Sequence, residues 1–144
     1  MTVHLLKMAV GVSDVDHLKR LQKGRRHEIG GRTVVYGYTR RKPRRAVEVC
    51  AGGSIYWIVK GFIQVRQRIL DLVDEVDDEG RAFCRLHYDP LLMLTESRPH
   101  RPMQGWRYLA RSDAPADLET TVEAGDGDRL PPEMLRELKM LGVI

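Results

Sequence analysis

The run FIQVRQRILDLVDEV (Phe62 to Val76), followed by DDEG and then RAFCRLHY, decides what this chain can fold into. As a helix it places Phe62, Val65, Ile69 and Leu72 on one side, and as a strand it sets Gln64, Arg66 and Arg68 opposite Ile63, Val65 and Ile69. The turn formers Asp77, Asp78, Glu79 and Gly80, with Ala82, Cys84, Leu86 and Tyr88 alternating behind them, select the strand. Two long antiparallel strands joined by a hairpin are predicted. With the other short apolar strands they give an α+β fold: a bent, mostly antiparallel sheet or small β-barrel with flanking helices.

The remaining elements follow in order. Val3 to Val10 is a short, largely apolar strand ended by Gly11. Ser13 with Asp16 makes a capping-box-like start to a helix carrying Val15, Leu18 and Leu21 at helical spacing until Gly24. Arg25 to Arg32, with two adjacent glycines and no periodicity, reads as a mobile basic loop. Thr33 to Tyr38 is the second strand. Pro43 starts and Gly52-Gly53 stop a short helix through Ala46, Val47 and Cys50. Ser54 to Lys60 is the third strand, with a bulge or close approach expected at Gly61. Pro90 interrupts the second arm of the hairpin, Ser97 to Pro102 forms a basic loop, and Gly105 to Leu109 is a last short strand. Residues 1–112 are read as a single domain, 113–130 as an acidic linker, and 131–144 as a C-terminal helix packed on the domain through Met134, Leu135, Leu138 and Leu141.

Charge distribution says more than its sum. The net charge is +4 over 144 residues, yet Lys19 to Arg45 holds eleven Lys or Arg against Glu28, a local balance of +10. Asp71 to Glu79 and Asp113 to Asp128 each hold six acids and no base. A strongly positive region gathers anions, and the arginine fork suits bidentate phosphate contacts. Aromatic residues nearby offer stacking surfaces for unpaired bases. The expected function is therefore binding of RNA or a single-stranded segment through Arg40, Arg41, Lys42, Arg44, Arg45, Tyr56, Gln64, Arg66, Arg68, Arg101, Trp106 and Arg107. The bland reading of Trp57 and Trp106 is that both are core.

Signals for catalysis are thin. Cys50 and Cys84 stand in no CxxC or Cys/His spacing, so two reduced structural thiols and a cytoplasmic home are expected. The five histidines show no metal-ligand spacing. Gly52 and Gly53 precede a strand instead of opening a helix, unlike a phosphate-cradling loop. No metal and no cofactor are expected, and no run approaches the roughly 18 apolar residues needed to span a bilayer. Two further readings stand beside nucleic acid: a small enzyme on an anionic small molecule with His87 or His100 as acid or base, and a protein-interaction module using Met134 to Leu141.

The combination of TRRKPRR, GGSIYWIVKG, RQRI and QGWRYL resembles a family of small bacterial proteins known as a domain of unknown function, across nearly the whole chain. In layout, an opening strand, the helix SDVDHLKRL and a hairpin feeding LHYDPLLML are similar to the PUA-like superfamily, especially its EVE and ASCH branches. That likeness implies a small barrel binding RNA or modified nucleobases, with no pocket residue carried over.

Overall fold

The computed structural model describes residues 2–123. They form, in chain order, β1 (Val3–Met8), α1 (Val15–Lys23), β2 (Arg26–Ile29), β3 (Arg32–Thr39), α2 (Ala46–Cys50), β4 (Ser54–Val59), β5 (Phe62–Val76), β6 (Ala82–Pro99), β7 (Trp106–Ala110) and β8 (Asp117–Glu123). The hairpin expected from the sequence is the centre of the sheet, with β5 and β6 paired from Phe62↔Pro99 to Val76↔Ala82. Its turn is closed by the Asp77 carboxylate, which accepts from the backbone N–H groups of Glu79 and Arg81. Register shifts between Ile63 and Val65, between Gln67 and Ile69, and between Ile69 and Asp71 bend this pair.

The strand order is β2-β3-β6-β5-β4-β1-β7, with β8 on β6 beside the end of β3. β1 and β4 run parallel and the other pairs antiparallel, so the sheet is mixed. β2 and β7 lie at opposite ends of that order and do not pair with each other, so the sheet is open and bent. The closed-barrel alternative is not what forms.

One face carries the larger core, in which Val15 and Leu18 of α1 and Val49 of α2 pack against Leu5, Ile55, Ile69, Leu86 and Leu92. The other carries Leu6, Tyr56, Ile58, Ile63 and Met103. All six residues of β4 are buried, which is why IYWIV after Ser54 is continuously apolar instead of alternating. α2 stops as expected at Gly52, where φ is +95°, and Gly53. A side-chain carbon on Gly53 would lie 2.3 Å from the Val49 carbonyl oxygen and 2.4 Å from that of Val3, so only glycine fits between the two backbones.

Several local expectations change. Arg25 to Arg32 is a hairpin and not a loop: Gly30 and Gly31, at φ +58° and +78°, make a two-residue turn between Ile29 and Arg32. Lys60 and Gly61, at φ +50° and +83°, make another between Val59 and Phe62, and the nearby irregularity falls at Trp57/Ile58. The α1 cap is Asp14, which accepts from the His17 N–H at 2.7 Å, in place of Ser13. β6 continues through Pro90 because that residue falls between partners: on one flank β3 ends at Tyr88 and β8 begins at Leu91, and on the other the ladder passes from Tyr88 to Leu92. No ladder bond needs its missing N–H. β6 also runs on to Pro99, into the expected basic loop. Within the stretch read as an acidic linker, Asp117–Glu123 is strand β8, paired with Leu91 to Thr95. The helix expected over 131–144 lies outside the described residues.

Candidate functional site

The basic run 40–45 does not stand as a free cationic face. Arg40 pairs with Asp77 at 3.2 Å and Lys42 with Asp74 at 3.0 Å, so acids at the end of β5 and in the turn after it neutralise these two cations. Arg45 pairs with Glu48. Arg41 lies over Trp106, its guanidinium carbon 4.1 Å from the ring centroid, and donates to the Trp106 carbonyl at 3.2 Å. The Trp106 indole N–H returns a bond to the Arg41 carbonyl at 2.7 Å. Among the described residues Arg44 is the one cation of this run with no partner.

The expected stacking platform is dismantled by the same contacts. Trp106 is buried and covered by Arg41, and Tyr56 and Gln64 are buried as well. Gln64 turns its amide N–H back to the Val59 carbonyl. Arg66 is held by a bidentate bond to Asp117 and a third to the Ser54 hydroxyl. Arg68, Arg101 and Arg107 are exposed, on β5, on the loop after β6 and on β7. The twelve residues therefore do not form one surface: Arg41 and Trp106 are joined at the β7 edge, while Arg66 serves the opposite face.

What the fold assembles instead is a cavity of about 220 Å³ between α1 and strands β1, β3 and β4, walled by Lys7, Leu21, Gln22, Arg25, Trp57 and Tyr88 among others. Its polar groups are unusually well fixed. Gln22 and Gln67 exchange amide bonds at 2.9 and 2.8 Å, and Gln67 also donates to the Asp89 carbonyl and accepts from the Trp57 indole. Because the indole can only donate and a carbonyl only accept, the orientation of both amides follows. Gln67 is saturated, whereas Gln22 keeps one N–H without a partner among the described residues.

The Tyr88 hydroxyl is buried and has no partner among the described residues. Its ring packs edge-on to Trp57 at 5.8 Å and lies so close to Gly37 that a side-chain carbon there would fall 2.5 Å from the ring and 2.7 Å from the oxygen. Burial raises the phenol far above its ordinary value, so it stays a donor. Burial also lowers the Lys7 ammonium, in the same wall.

The sequence model of a family described as "protein of unknown function (DUF1489)" matches residues 5–144. The chain belongs to that family. No curated protein and no solved structure matches it. In this DUF1489 chain the thiols are unsuited to attack: burial drives Cys84 up to about 11 and raises Cys50. His87 accepts from Arg85 and stacks on Tyr36, and His100 bonds its own loop, so neither lines the cavity. No described residues bring three His, Cys, Asp or Glu together, and no described helix is long and apolar enough to cross a membrane. The sequence reading missed Gln22, Gln67 and Tyr88 as site residues, and with Lys23, Arg66, Arg68, His87 and Asp89 beside them the local sequence carries no signal that they are buried together.

Proposed function

We propose that the protein binds nucleic acid by taking one unpaired base into the cavity between α1, β3 and β4. The observation that carries this reading is the buried Tyr88 hydroxyl, without a partner among the described residues, in an aromatic wall, since an orphaned buried donor costs stability and calls for an acceptor. The cavity is below the roughly 300–1,000 Å³ typical of larger ligand sites, which suits a one- or two-ring occupant. Trp57 and Tyr88 supply aromatic wall, Gln22 an amide edge of the kind that reads bases, and Arg25 a cation for the adjoining phosphate. The likeness in layout to the PUA-like superfamily points the same way.

The test is binding of mixed RNA, single-stranded DNA and duplex DNA at two salt concentrations. Single strands are expected to bind with a shallow salt slope, about one or two counterions, because Arg40, Lys42 and Arg45 already have partners. Equal affinity for duplex at both salts would sink the proposal. Lys7 favours a second reading, an enzyme on a small anionic molecule. Its lowered ammonium in a walled cavity is what an amine base or nucleophile requires. An anionic substrate whose turnover survives Lys7→Arg would remove Lys7 from that role.

A further inference from the structure

The geometry points to a second binding site, for a phosphate-sized oxyanion, on the opposite side of β4 from the aromatic cavity. Successive strand residues face opposite ways, so Tyr56 and Trp57 line different spaces. The space beside Tyr56 measures about 450 Å³ and is walled by Thr2, His4, Tyr56, Arg66, Arg111 and Asp117 together with the backbone around Ala114.

The polar groups there are mostly donors. His4 accepts the Ser54 backbone N–H on Nδ1 at 3.0 Å, so the neutral ring carries its proton on Nε2. That nitrogen has no partner among the described residues, and neither does the Tyr56 hydroxyl or the Arg111 guanidinium. The His4 and Tyr56 rings meet edge-on at 5.1 Å, which fixes their mutual orientation. Asp117, the one carboxylate in the wall, is occupied by Arg66 through two bonds of 2.7 Å, and Arg66 is anchored again by the Ser54 hydroxyl at 2.7 Å. Two arginines and one aspartate leave the wall at +1. Three unpartnered donors from three separate segments suit the several oxygens of a phosphate better than the two of a carboxylate. Burial first, and Arg66 and Arg111 after it, lower His4, so a bound anion reverses the second cause and raises it.

The experiment follows the His4 imidazole of the full chain by nuclear magnetic resonance, titrating pH with and without inorganic phosphate, and with acetate for comparison. The site predicts a saturable upward shift of the His4 titration with phosphate, a weaker one with acetate, and roughly tenfold weaker phosphate binding in Arg111→Gln, an exposed position. Tyr56→Phe is expected to weaken it several-fold. Comparing a 5′-phosphorylated with a 5′-hydroxyl oligonucleotide then separates the sources. Preference for the phosphorylated end supports a strand terminus, and indifference with a retained phosphate response supports a small molecule. No saturable shift, or one unchanged in Arg111→Gln, overturns the proposal. Because the two cavities lie on opposite faces, this result is independent of base binding beside Trp57.

Discussion

Removing a single oxygen atom from Tyr88 tests whether its hydroxyl is held for a ligand. In the unliganded chain that hydroxyl is buried with no partner among the described residues, whereas in the unfolded chain it is hydrated. Leaving a buried polar group unpaired costs about 1–3 kcal/mol. The ring's packing against Trp57 and Gly37 survives in Tyr88→Phe, and the space left is one oxygen. The substitution is therefore expected to stabilise the unliganded protein by about 1 kcal/mol, moving the thermal midpoint of a chain this size up by roughly 2–8 °C. The same change should weaken single-stranded RNA binding by roughly two- to tenfold, the worth of one neutral hydrogen bond. Denaturation of both proteins without ligand, followed by a binding titration, reads both effects. A loss of more than about 1 kcal/mol in the unliganded variant would mean that the hydroxyl is satisfied within the protein, and the reasoning fails.

Gly53→Ala should destabilise far more than a typical exposed glycine substitution, by more than about 3 kcal/mol, because the new carbon meets two backbone carbonyls that cannot yield; chemical denaturation measures it. Arg41→Ala should cost about 1–3 kcal/mol through the lost contact on Trp106 and its carbonyl, with Arg41→Lys recovering only part, and a drop no larger than that of Arg44→Ala would contradict the clamp. His4 and His87 both lie below the usual imidazole value, burial being the larger cause. The unfolded chain then protonates first, so stability should hold above about pH 6.5 and fall as pH drops from there toward the folded values. His87→Gln should flatten that decline in unfolding midpoint.

The backbone plan was largely legible and the site largely was not, for one physical reason. Hairpin signals are local: the DDEG turn and the alternation after it sufficed to place β5 and β6, and GG between Ile29 and Arg32 was an equally good signal hidden by its basic flanks. Asp117–Glu123 looked like a linker because it is polar, yet β6 had an open flank beyond Tyr88 for a strand to fill. Site assembly is non-local. Nothing near Trp106 says that Arg41 will cover it, and the acids that quench Lys42 and Arg40 come from the end of β5 and the turn after it, more than thirty residues along the chain. Trp57, Gln67 and Tyr88 are brought together by the pairing of β4, β5 and β6, and Gln22 joins them only because α1 docks on the sheet.

Base capture beside Trp57 is tested most directly by that residue's own fluorescence. The chain has two tryptophans, so Trp106→Phe leaves Trp57 as the sole emitter while keeping an aromatic ring beneath Arg41. Titration with a short single-stranded RNA, followed in parallel by polarisation of a label on the RNA, should give saturable Trp57 quenching with the same midpoint as the polarisation change. Polarisation that saturates while Trp57 emission stays constant would place the bound strand elsewhere and contradict the account.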